Sequence, residues 1–258
     1  MAIYQHYREE EHPFVDQILS LKEQVERNFI SRLTDFLNPR EQKIVSQIVG
    51  GNNPDMKLQF FGGTEYTERK RAILAPYYEE IEESQFEITL LQAKYATKFI
   101  TLTHRDVMGA FLSLGVDRKK LGDIYVSDGI IQIVTSEDLS PFVLANLTTI
   151  KNAKVQFEVI PLEELLIEKP NWVTFERNVS SLRLDVIIKE IYQLSRKDAA
   201  SFIEQKRTRV NYKTVDDPAY IVEPEDLISV RGKGRSKFIE ELGLTRKGRK
   251  RITVAILK

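Results

Sequence analysis

Between Phe86 and Leu162 apolar runs of two different periods alternate in a set order, and few chain paths are compatible with it. Phe86–Tyr95 is rich in β-forming residues. His104–Leu114 then places Val107, Ala110, Phe111 and Leu114 at helical spacing. Ile124–Val126 and Ile130–Val134 flank Ser127-Asp128-Gly129, a hairpin turn signal. Leu139–Ile150 returns to the helical period, and Val155–Ile160 closes as a strand. Strand, helix, strand, strand, helix, strand is the split βαβ, or ferredoxin-like, order. RRM-like RNA-recognition domains use it, and so do many unrelated proteins. The RNA readers stack bases on aromatic side chains of the sheet. Ile131, Ile133 and Val155 stand where those aromatics are expected, so this sheet reads mainly as scaffold.

Upstream, Val15, Ile18, Leu19, Lys22, Val25 and Phe29 recur at three- and four-residue spacings, and a second helical run is expected from Phe29 to Leu37. Asn38 is a cap and Pro39 the first position of a further helix ending near Val49. Gly50-Gly51-Asn52-Asn53-Pro54 reads as a turn. Lys57–Phe61 and Arg71–Ala75 are expected to pair as strands around Gly62-Gly63. Ile167-Glu168-Lys169-Pro170-Asn171 reads as a connector, and Trp172, the only tryptophan, as its packing anchor rather than a base-stacking residue. The expected fold class is α+β in three small domains. The first is mixed α+β (residues 1–82), the second ferredoxin-like (83–168) and the third spans 182–258, with a linker over 169–181.

Charge separates the third segment from the rest. The chain of 258 residues has no formal net charge, yet residues 182–258 hold 18 Lys+Arg against 11 Asp+Glu. Residues 1–181 carry the compensating acidic excess. Such asymmetry points to a polyanion partner for the basic part. The hydrophobic content, 42%, suffices for a full core. Absent cysteine excludes a disulfide frame or a thiolate metal site. The first residues lack the basic start and apolar run of a secretory signal, and no apolar stretch approaches the roughly 18 residues of a membrane span. A soluble, cytoplasmic protein is expected.

Within the basic segment Leu184, Ile187, Ile188 and Ile191 share one helix face. Ser195 then caps a second helix through Ala199, Phe202 and Ile203, with Asp198 three positions on. Arg196 and Lys197 in its first turn oppose the helix macrodipole, so local stability does not explain them. A phosphate at that terminus would meet backbone N–H groups, the Ser195 hydroxyl and both cations. In Lys206-Arg207-Thr208-Arg209-Val210-Asn211-Tyr212-Lys213, Arg207, Arg209 and Asn211 share a strand face opposite Val210, a set suited to phosphate and sugar contacts. Gly232 and Gly234, among Arg231, Lys233 and Arg235, let backbone approach a phosphate closely. Lys237 and the Arg246–Arg251 cluster extend the strip, and Ile252–Leu257 closes as a strand. Arg118, Lys119 and Lys120 in the middle segment read as a solvated face.

These residues resemble a known module. Arg183-Leu184-Asp185, Leu194-Ser195-Arg196, the run from Ile203 to Arg207, Arg209-Val210-Asn211 and the run from Asp226 to Gly232 are similar to the alpha-L RNA-binding domain of a small-subunit ribosomal protein, pseudouridine synthases and tyrosyl-tRNA synthetases. The module usually shows Gly where Lys206 stands, and Asn-Gly where this chain has Asn211-Tyr212. The stretches 35–41, 61–63 and 104–124 resemble the YlmH family, encoded among bacterial cell-division genes. That resemblance implies binding of rRNA or tRNA, a ribosomal setting extending to quality control, no assigned catalysis and no cofactor. The RNA contacts expected from the residues and the resemblance together are Arg183, Ser195, Arg196, Lys197, Lys206, Arg207, Arg209, Asn211, Lys213, Arg231, Lys233 and Arg235.

No catalytic constellation or metal set stands beside them. His6, His12 and His104 lack partners at ligand spacing, Gly62-Gly63 is too short for a dinucleotide loop, and residues 231–235 lack Walker spacing. An RNA-modifying enzyme is the rival reading. A scaffold with a protein partner at the acidic N-terminal segments is the third.

Overall fold

The computed structural model describes residues 4–5, 7, 9–50, 53–167 and 169–258; His6, Gly51, Asn52 and Glu168, named above, lie outside them. The chain divides into two compact units, residues 1–168 and 169–258. Together they make an α+β protein of helices and antiparallel sheets.

In the first unit helix α1, His12–Asn28, buries Val15, Ile18 and Val25 and stops at Phe29. Phe29 is left-handed (φ 53°), and its N–H bonds to the Val25 carbonyl. That turn ends the helical path, so the second helical run expected from Phe29 to Leu37 does not form. Arg32–Leu33 is instead a short strand, β1, paired with β3, Arg71–Pro76. Between them lie α2, Pro39–Val49, and β2, Met56–Phe61, and the sheet order is β1-β3-β2. Asn38 caps α2 reciprocally with Glu41, with Pro39 at the first position.

Strands β4 (Ile88–Lys94), β5 (Leu121–Ser127), β6 (Ile130–Ser136) and β9 (Glu158–Ile160) form an antiparallel sheet in the order β5-β6-β4-β9, as a ferredoxin-like path requires. Helices α3, His104–Ser113, and α4, Ser140–Asn146, supply the crossovers. The β5–β6 turn uses left-handed Asp128 and Gly129 (φ 49° and 80°). The second helix is shorter than its periodicity suggests. Residues 149–154 form the hairpin β7 (Thr149–Ile150) and β8 (Ala153–Lys154).

The two sheet faces differ from expectation. Ile131 and Ile133 point inward with Leu91, Ala93, Val107, Phe111 and Val143, and Val155 lies before β9, so none belongs to the open face. That face carries Leu90, Tyr125 and Val134, which Phe36 and Leu165 cover. The Gln132 amide fastens the cover. It donates to the Glu164 carbonyl and accepts from the Leu166 N–H. Of Arg118, Lys119 and Lys120, expected as a solvated face, only Lys119 is exposed. Arg118 donates to the Leu121 carbonyl, and burial, helped by the Arg69 cation, lowers its pKa to about 10. Lys120 pairs with Asp35 and Asp138, and the Lys119 carbonyl accepts from Phe36 N–H.

The second unit starts earlier than its charge pattern implies. Trp172–Val179, within the expected linker, is strand β10 and pairs along its length with β15, Lys250–Leu257. The hairpin twin of β15 is β14, Gly234–Leu244, followed in the sheet by β13 (Leu227–Val230), β11 (Thr208–Val210) and β12 (Lys213–Val215). Helices α5, Leu184–Tyr192, and α6, Arg196–Glu204, cover one face. Leu184, Ile187, Ile188, Ile191, Ala199 and Ile203 bury against Val210, Ile228, Phe238 and Val254. Each fully buried aliphatic side chain contributes roughly 1.5–3 kcal/mol, so the helix pair is fixed by its apolar stripe. No helix of the described residues is long and apolar enough to cross a membrane.

Candidate nucleic-acid interface

Helix α6 ends at Glu204, and Lys206 then takes a left-handed turn (φ 57°) that swings the chain into β11. Arg207 follows directly. Its N–H bonds to the Phe202 carbonyl, its carbonyl accepts from Arg231 N–H, and its guanidinium lies 4.4 Å from the centre of the Phe202 ring. Arg207 and Lys233 face Leu194, Asp198, Ser201, Phe202 and Gln205 across an open groove of about 290 Å³. The α6 residues among these recur every three or four positions, so the groove runs along one stripe of the helix.

The β13–β14 turn that carries Lys233 depends on two glycines. Gly232 and Gly234 have φ of 84° and 101°, conformations in which a Cβ is strained. The turn holds Arg231 and Lys233 out on exposed backbone, and neither makes an ion pair among the described residues. On the solvent side of the sheet Arg209 stands opposite Ser229, and Ser229 opposite Arg235, in one cross-strand row. Thr208 and Val210 are buried on the other side, the alternation expected of β11.

Other expected contacts have structural work first. The Ser195 hydroxyl accepts from Asp198 N–H at 3.0 Å and donates to the Asp198 carboxylate at 2.7 Å. With that carboxylate at the first turn of α6, the helix terminus already holds an anion, and Ser195 is its cap. Arg196 turns to Asp185 (3.3 Å), which Arg183 also grips with two nitrogens at 3.0 and 3.1 Å. Burial raises the Asp185 pKa, but the hydrogen bonds and charges of Arg183 and Arg196 outweigh it and the carboxyl titrates below its ordinary value. Three charges leave this cluster one net positive. Lys197 is exposed in the first turn of α6 without an ion pair among the described residues.

The β11–β12 turn keeps its geometry without glycine. Asn211 and Tyr212 are both left-handed, φ 49° and 66°. The Asn211 amide is spent holding that turn: it donates to Asp226 at 2.6 Å and accepts from Leu227 N–H at 3.0 Å. Asn211 therefore clamps this turn. Lys213 beyond it is exposed. Lys206 lies 3.8 Å from Asp216. The hairpin tip is less basic than its sequence, because Arg249, Lys250 and Arg251 pair with Glu190, Glu241 and Glu176.

The expected contacts thus fall into sets. Arg207 and Lys233 line the α6 groove, Arg231 is joined to Arg207 through its backbone, Arg209 and Arg235 share the sheet row, and Arg183 and Arg196 meet at Asp185. What sequence reasoning missed is Phe202 as the support for Arg207. A helical aromatic five positions before a basic residue was the available signal.

Comparison with known proteins follows the same division. Residues 82–164 match the family profile of the RNA-binding domain in YlmH, and residues 182–228 match the S4 domain. Over 251 residues, 97% of both chains, the sequence is 41% identical to the ribosome-associated protein quality control protein P2 of Bacillus subtilis. The solved cell division protein ylmH from Streptococcus pneumoniae superposes with a TM-score of 0.53 at 31% identity, over 63% of this chain and 98% of that one.

Proposed function

The chain belongs to the YlmH family, and on that premise we propose that it is a non-catalytic RNA-binding protein of the ribosome, gripping rRNA or tRNA through its S4 domain. The observation that carries this reading is that Arg207 and Lys233 line one groove, with Arg231 exposed on the adjoining turn and no acid paired to any of the three among the described residues. Phosphate contacts position an RNA without reading its sequence, and cations without acidic partners suit that task. The relative from Bacillus subtilis is named for ribosome-associated quality control, and the same role is proposed here, in the cytoplasm. The solved relative is named for cell division, and a link to division is proposed on that name alone.

Filter binding to ribosomal RNA and co-sedimentation with ribosomes test the reading together. Arg207→Ala combined with Lys233→Ala is expected to weaken both. Unchanged affinity and sedimentation would remove the groove from the function.

A protein partner at the first unit is a second reading. Tyr77 and Tyr78 are exposed beside Glu79, Glu80, Glu82 and Glu83, none of which has an ion-pair partner among the described residues. Retention of that partner after removal of residues 182–258 would support it.

A further inference from the structure

The segment matched to an RNA-binding profile cannot use the surface on which its fold ordinarily stacks bases. Phe36 and Leu165 close the outer face of its sheet, and Gln132 is bonded to the covering segment at two points. Any RNA contact made by residues 82–164 has to lie elsewhere.

We propose that Phe99, on the loop between β4 and α3, stacks a base of single-stranded RNA while Lys94, Lys98 and Arg105 hold the neighbouring phosphates. Phe99 is 83% exposed, the most of any large hydrophobic side chain among the described residues. The loop is nonetheless anchored. Tyr95 N–H bonds to the Gly129 carbonyl and Phe99 N–H to that of Ala96. Leu102 is buried and Ile100 packs on the core beneath. Thr103 and Asp106 cap the helix that follows. A ring held in water by a fixed loop contributes little to folding and offers a face to a planar ligand.

The charges around it favour RNA over an apolar partner. The Lys98 ammonium lies 5.6 Å from the ring centre. Lys94 and Arg105 are exposed or half-exposed without an acidic partner among the described residues. Asp106, the nearby acid of α3, is already bound by Lys151 at 2.8 Å. Asp128 in the adjoining turn is outnumbered by the cations. Cations interleaved with an exposed aromatic, in an otherwise acidic part of the chain, are the pattern of a stacking platform for single strands. In a duplex, stacking on neighbouring bases would hide the base faces that the ring needs.

The test uses the full chain and ribosomal RNA fragments carrying 4-thiouridine, photocrosslinked and mapped by mass spectrometry, with affinity followed by fluorescence anisotropy. An adduct within residues 94–105 is expected. Phe99→Leu should lose about fivefold or more in affinity, the loss of one stacked base, while Phe99→Tyr keeps it. Adducts confined to residues 182–258, or full affinity in Phe99→Leu, would overturn the proposal. Arg207→Ala, measured alongside, separates the two sites. If it alone weakens binding, the Phe99 contact fails and the S4 reading stands; if Phe99→Leu alone does so, the reverse holds.

Discussion

The guanidinium of Arg207 lies 4.4 Å from the centre of the Phe202 ring, and both belong to the groove that Lys233 faces. A helix residue and the residue just before the following strand thereby fix a cation in place before any RNA arrives. A long basic side chain loses rotamer freedom on binding, and a ring beneath it removes part of that loss in advance.

Arg207→Ala is therefore expected to lower affinity for all RNA sequences alike and to reduce the salt slope of log K by about one unit. Arg207→Lys keeps the charge and the slope but loses the planar stack, so its affinity should fall between the two. Titrations at several salt concentrations check both statements.

Two non-glycine residues occupy left-handed positions that this module usually fills with glycine, Lys206 at φ 57° and Tyr212 at φ 66°. A side chain there costs about 1–2 kcal/mol, partly offset by the greater freedom glycine gains in the unfolded chain. Tyr212→Gly relieves this strain and removes the interactions of the Tyr212 side chain; where the strain dominates, the second unit gains about 0.5–1 kcal/mol. Urea unfolding checks it, and a lower midpoint would show that the tyrosine ring has packing that outweighs the strain.

Much of this fold was legible because its signals are local. Asn38-Pro39, Thr103 with Asp106, and Ser127-Asp128-Gly129 mark ends and turns by chemistry that does not depend on distant contacts. The run from Phe29 to Leu37 misled because a left-handed Phe29 leaves no trace in apolar spacing. Trp172–Val179 read as linker because its strand partner lies some eighty residues downstream in β15. Which cations stay open was legible only in part. Charge counts cannot show that Asp185 already holds Arg183 and Arg196, or that Asn211 is turned to Asp226.

The Asp185 cluster couples stability to pH. Its folded pKa lies below the unfolded value, so its stabilisation is present above about pH 4 and is lost as pH falls through the folded pKa. Asp185→Asn should flatten the acid limb of the second unit's stability curve. It should also free Arg183 and Arg196 and tighten RNA binding at neutral pH. A variant that is destabilised with unchanged affinity would show that neither arginine reaches RNA.

The first unit depends on a different arginine. Arg69 donates to the Leu121 carbonyl at 2.8 Å and the Phe36 carbonyl at 2.7 Å, while Asp123 accepts the Glu68 and Arg69 N–H groups. Burial lowers the Arg69 pKa, so the guanidinium is held there by those carbonyls and the nearby carboxylates rather than by solvent. Arg69→Met leaves the Phe36 carbonyl without this donor, a loss of about 1–3 kcal/mol when water cannot replace it, while Arg118 still donates to the Leu121 carbonyl. The first unit should lose about 1–3 kcal/mol. Trp172, the only tryptophan, lies in the second unit, so its fluorescence reports that unit alone. Far-ultraviolet circular dichroism should show an earlier unfolding step in the variant while the Trp172 transition stays where it was. Equal shifts in both signals would mean that the two compact units unfold as one.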